Sequence, residues 1–246
     1  MRFRLSWWLL AAAMTGLATG YGALVVGIGM PGATLDWQMT GVADRLGLAG
    51  PVAEEALAEL QQLRVHSSLL TILQILIGGA TTNVVFAFGE EVGWRGWLHR
   101  TLAPLGFWRA SLVTGLLWEA WHAPLIAVGH NYPTQRVPGV FLFIVFCVAL
   151  GPILAWVRER ADSVWAAAML HGTLNAAAGV TLLVLNGSEL LVGVQGLAGA
   201  LVVLAAGVAV LRSRCAATTG RSSRLMKAHP PFRLCSPSSL SAPACA

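Results

Sequence analysis

The sequence predicts an all-α fold, a polytopic transmembrane helical bundle of about six spans around an interior cavity. Three observations predict it. Of the 246 residues, 56% are apolar and only 11% are charged, whereas about a quarter of a soluble domain is charged. The apolar residues gather into stretches long enough to cross a hydrocarbon layer, for which about 20 helical residues suffice. The few ionisable residues inside those stretches recur as compact clusters rather than singly.

The expected spans are 7–29, 68–97, 107–128, 139–157, 163–186 and 190–211. In domain terms, 1–67 holds the first transmembrane helix and an external linker, 68–186 is a core, 187–211 the last transmembrane helix, and 212–246 a basic cytoplasmic tail without fixed structure. Pro31 and Pro51 break the linker, and 53–63 reads as a short interfacial helix because Glu54, Glu55 and Glu59 suit a surface. Met1 to about Gly20 also fits a signal peptide, since Arg2 and Arg4 precede an apolar run, but the run continues through Val25 and Ile28. The four cysteines, Cys147, Cys215, Cys235 and Cys245, form no CxxC pair and no disulfide framework.

Basic residues orient the chain. With a cytoplasmic N-terminus, Arg2, Arg4, Arg100, Arg109, Arg158, Arg160 and the tail fall on one side, and only Arg45, Arg64 and Arg136 on the other. Both termini are then cytoplasmic, in a multi-pass protein of the cell membrane. The net charge of +5 lies largely in Arg212, Arg214, Arg221, Arg224, Lys227 and Arg233, where anionic lipid headgroups are its natural partner. No aromatic-interleaved basic module accompanies it, so nucleic acid is not an expected partner.

Three clusters carry the chemistry. In FAFGEEVGWRGWLHR, Glu91 and Arg95 are four apart and share a helical face, while Glu90 is turned by about 100° and points elsewhere. Trp118-Glu119-Ala120-Trp121-His122 places an imidazole in the third span, with Glu119 three residues before it as a candidate orienting partner. His171 and Asn175 put an imidazole and an amide on one face of the fifth span. Each alone reads equally as a structural ion pair, a core histidine or an interhelical tie. Counted at 1.5 Å per residue from the nearest cytoplasmic charge, however, Glu90, His122 and His171 lie roughly 15, 20 and 14 Å deep. A carboxylate, two imidazoles and an amide at one level provide a base for water and donors for an oxyanion.

The order Glu-Glu-x-x-x-Arg, then an aromatic residue and His122 four positions on, then His-x-x-x-Asn, resembles the CAAX-processing and bacteriocin-processing (CPBP, or Abi) proteases, which include the type II CAAX prenyl endopeptidases. The resemblance covers about 68–186. It implies an intramembrane endopeptidase acting on membrane-embedded or lipidated proteins, with Glu90 as catalytic glutamate, His122 as its partner, His171 and Asn175 as the oxyanion pair, and Glu91 and Arg95 in support. Trp118 departs from the phenylalanine more frequent in the family, and Glu119 stands where an apolar residue is expected. The family is commonly described as metalloproteases. Glu90, His122 and His171 have the ligand types of a two-histidine, one-carboxylate site for zinc or another divalent metal, but no HExxH motif supplies ligands and base together.

Two other function classes compete. A transporter would show related halves with interrupted helices, and there is no second copy of the Glu-Glu-Arg segment. A catalytically silent scaffold or bacteriocin-immunity partner of the same fold would have lost a motif residue, and every mapped position is filled. For the topology, reporter fusions after Met30, Arg100, Pro133, Arg160, Gly187 and Cys215 are expected to alternate sides, starting outside; an outside signal at Cys215 defeats it.

Overall fold

In the computed structural model the chain is described at residues 2–36, 50–51, 55, 58 and 67–228. Among the described residues it is all-α apart from one small ladder. Helix α1 is Arg2–Ile28, α2 Ser67–Ala80, α3 Thr82–Glu91, α4 Phe107–Ala127, α5 Arg136–Ala161, α6 Val164–Val184 and α7 Leu197–Ala228. The short strands β1, Thr34–Leu35, and β2, Leu185–Asn186, pair antiparallel. Among the described residues, four segments are long and apolar enough to cross a membrane: Trp8–Ile28, Arg136–Ala161, Val164–Val184 and Leu197–Cys215. Helix α4 has the length, 21 residues, but Glu119 and His122 lower its apolar character. Among the described residues, those up to Val210 form one compact unit and those from Leu211 a second.

Several boundaries depart from the expected spans. The continuous helix expected over 68–97 is interrupted at Thr81, whose hydroxyl is turned back to the Ile77 carbonyl, so α2 and α3 are separate. After Glu91 the helix widens into a π-helical run, Val92–Leu98, a wider turn that recurs at functional sites. The last span starts at Leu197 rather than 190, because Gly187 and Gly193 adopt positive φ and hold 187–196 as a loop. Helix α7 extends through 212–228, which composition assigns to the tail; 229–246 and most of the expected 53–63 helix lie outside the described residues.

Helix α6 is the centre of the bundle, packing against α1, α2, α3 and α5. Ala166, Ala167, Ala168, Gly172, Ala176 and Ala177 are all buried, and small side chains let neighbouring backbones approach. The tightest point that matters for the site is Gly172. A Cβ there would lie 2.7 Å from the Val84 nitrogen and 2.8 Å from its Cα, so α3 rests on the α6 backbone immediately beside His171. Gly115 serves similarly between α4 and α5, where a Cβ would meet the Cys147 carbonyl oxygen at 2.9 Å.

Gly172→Ala is therefore expected to force α3 off α6 and to destabilise the protein by about 1–3 kcal/mol, the usual cost of overpacking. Gly179→Ala, on the same helix with nothing within 4 Å of the added carbon, serves as control and is expected to be neutral or stabilising by about 0.5–1 kcal/mol. Thermal unfolding in detergent compares the two.

Candidate active site

Two adjacent carboxylates at the C-terminal end of α3 serve two different helices. Glu91 and Arg95 are fully buried, with Arg95 Nη1 donating to Glu91 Oε1 at 2.8 Å. The same oxygen accepts from His171 Nδ1 on α6 at 3.0 Å. Glu90, one residue earlier and so about 100° away around the helix, instead meets α4: Trp118 Nε1 donates to its Oε2 at 2.9 Å.

The hydrogen bonds fix which ring nitrogens remain free. His122 Nδ1 lies 2.9 Å from the carbonyl oxygen of Trp118; a carbonyl only accepts, so Nδ1 carries a proton and Nε2 of the neutral ring is a bare acceptor. The Glu91 carboxylate imposes the same tautomer on His171. The His122 ring is held further by edge contacts to Trp121, Phe143 and Trp118, at centroid distances of 4.8, 5.2 and 5.6 Å. Trp118 also touches His171, at 5.2 Å, and its ring lies under the Arg95 guanidinium, 4.5 Å from centroid to carbon. Arg95 Nε and Nη2 and Glu91 Oε2 are buried without a hydrogen-bond partner among the described residues.

Of the residues singled out from the sequence, Glu90, His122 and His171 all converge on Trp118, and Glu91 and Arg95 form the ion pair expected from their spacing. Asn175 is exposed one turn along α6 from His171 and makes no hydrogen bond to the cluster among the described residues. Glu119 does not orient His122. That role belongs to the Trp118 carbonyl, and Glu119 is buried with neither carboxylate oxygen bonded among the described residues. The residue that sequence reasoning undervalued is Trp118. The available signal was its polar handle: a buried indole N–H needs an acceptor, and a phenylalanine does not.

Glu90, His122 and His171 offer the donor chemistry of a metal site through a carboxylate oxygen with no bond among the described residues and two bare Nε2 atoms. Their placement does not match it. No group of three or more His, Cys, Asp or Glu side chains among the described residues is placed to hold a metal ion, and the cation already seated in the cluster is Arg95.

Residues 69–177 match the family model of type II CAAX prenyl endopeptidase Rce1-like proteins, a segment that contains all three clusters. A curated relative, CAAX prenyl protease 2 of Methanococcus maripaludis, is 29% identical over 92 residues, covering 35% of this chain and 34% of that protein. The chain thus aligns with about a third of the length of that relative. No solved structure matches it.

Removing one member of a buried ion pair leaves the other unpaired, which costs about 3–5 kcal/mol. Arg95→Gln and Glu91→Gln are accordingly expected to give similar, strongly reduced yields of folded protein in detergent. Size-exclusion profiles with wild-type yield for either variant would show the pair to be dispensable.

Proposed function

We propose, from the family-level match of residues 69–177 to Rce1-like, CAAX-protease-related proteins, that this chain is an intramembrane endopeptidase that hydrolyses peptide bonds of membrane-associated or lipidated proteins. The observation that carries the reading is the division of labour between the neighbouring glutamates. Glu91 is buried and bound through Oε1 to both Arg95 and His171, whereas Glu90 is half-buried, with no bond to Oε1 among the described residues, beside a histidine whose Nε2 is bare. In this reading α4 and the α2–α3 run complete six spans with the four apolar helices, and both termini face the cytoplasm.

The mechanism assigned to these groups is hydrolysis by activated water. Glu90 Oε1 takes one proton from water while His122 Nε2 accepts a hydrogen bond from the same molecule and orients it. The oxygen adds to the scissile carbonyl carbon, and the resulting oxyanion is met by donors on α6. Asn175 donates from its amide. His171, whose Nδ1 proton faces Glu91, donates from Nε2 only when it carries both protons, and Glu91 is the anion beside it. The proton held on Glu90 then passes to the leaving nitrogen as the C–N bond breaks, giving an acid and an amine and restoring the carboxylate. General-base catalysis contributes about 10²- to 10⁴-fold.

A decisive experiment compares membrane proteomes of cells carrying wild type and Glu90→Ala for cut sites that depend on the glutamate. With a cleaved substrate in hand, Glu90→Gln is expected to lower turnover per folded molecule by about 10²- to 10⁴-fold, while Glu91→Gln acts mainly through yield. Near-normal turnover of Glu90→Gln removes it as the base and leaves His122 in that role. Identical proteomes point to the silent scaffold of the same fold.

A further inference from the structure

A buried indole N–H seeks an acceptor, and the acceptor it has here is the side chain the proposed reaction needs most. Trp118 is 2% exposed. Its N–H is on Glu90, its carbonyl on His122, its ring edge against His171, and its ring face under Arg95. One residue of α4 therefore touches groups contributed by α3, the π-helical run, α4 itself and α6. A phenylalanine in the same place would keep the ring packing and lose the bond to Glu90.

We propose that Trp118 is a positioning residue for Glu90, its indole N–H fixing Oε2 so that Oε1 is the oxygen presented to water. The proposal rests on the reading of Glu90 as the base. A cation over the face of an indole is attracted to its π electrons and, by drawing on them, makes the N–H a stronger donor. Arg95 thus acts on both glutamates, directly on Glu91 and through the Trp118 ring on Glu90. Because His122 hangs from the carbonyl of the same residue, the carboxylate and the imidazole share one anchor, and their relative orientation is set by a single rigid side chain and its own backbone.

The test uses the full chain in detergent, labelled with nitrogen-15 tryptophan. The indole N–H resonance of Trp118 is assigned by its disappearance in Trp118→Phe or, if that variant yields too little folded protein, by its proximity to the His122 ring protons. Glu90→Gln, which replaces a charged acceptor by a neutral one, is expected to shift this resonance upfield. On a peptide spanning a Glu90-dependent cut site, Trp118→Phe is expected to lower kcat about 10- to 100-fold, the loss of one hydrogen bond to a charged group, with KM within about twofold. An unmoved Trp118 resonance in Glu90→Gln, or wild-type kcat in Trp118→Phe, overturns the proposal. If wild type itself leaves the peptide uncut, the protease reading is what fails, and the resonance alone decides whether Trp118 holds Glu90.

Discussion

A guanidinium with no exposure inside an apolar bundle has to be neutralised where it lies, and the rest of this structure follows from how Arg95 is neutralised. Its counter-ion is one helical turn back, which costs no long-range assembly, but a lone buried pair leaves further donors and lone pairs to satisfy. Glu91 Oε1 carries part of that load by also accepting from His171 on α6, while Glu91 Oε2 and Arg95 Nε and Nη2 have no partner among the described residues. The bond requires α3 and α6 to lie closer than side chains ordinarily allow, and Gly172 permits it: the missing Cβ at the next residue lets the Val84 backbone rest against the helix. The ion pair, the glycine and the histidine are thus one arrangement, and the stripe of small residues along α6 serves the electrostatics as well as the packing.

The same arrangement explains why two glutamates stand side by side. With Glu91 committed to α6, the helical twist turns Glu90 toward α4, where it meets Trp118 rather than a cation. The π-helical run begins immediately after the pair. A wider turn changes the direction of the side chains beyond it, and it carries Arg95 into a position over the Trp118 ring while Arg95 keeps its bond to Glu91. A fully buried, ion-paired carboxylate and a half-buried one held by an indole N–H then stand side by side, a separation of environments that identical chemistry alone would not produce.

Much of this was legible in the sequence, and the reasons for success and failure are physical. Helix content, four of the expected spans and the Glu91–Arg95 pairing follow from composition and from the 3.6-residue period, which are local properties. The break at Thr81 and the π-helical run were not legible, since both concern register within an apolar stretch and leave its composition unchanged. The late start of α7 was hidden because Leu190, Leu191 and Val192 read as helix while the positive φ of Gly187 and Gly193 decides for a loop. Glu119 misled because spacing puts it on the His122 face, yet the backbone carbonyl of Trp118, available at every helical position, took the imidazole first. The partners of Glu90 and His171 depend on helix-to-helix distances, which no single-chain pattern encodes.

The imidazole of His122 is also connected to the loops at the far end of α4, away from Glu90 and Arg95. Between α4 and α5, Tyr132 is buried and donates to the Gln195 carbonyl oxygen at 2.5 Å, and burial pushes its phenol pKa upward, which keeps the donor proton in place. Its ring contacts Phe143, which in turn packs edge-on against His122. From the same loop that carries Gln195, Glu189 accepts hydrogen bonds from the Thr134 backbone and hydroxyl and from the Gln135 backbone, just before the first turn of α5, where backbone N–H groups lack helical partners and a negative charge is favoured. The loop 187–196 is therefore fastened to the N-terminal end of α5, the helix that presents Phe143. His122 is held by its own helix through Trp118 on one side and by a chain of aromatic contacts to this fastening on the other. Its orientation depends on the closure of the whole bundle, so a histidine in a single apolar helix cannot be read from its own helix alone.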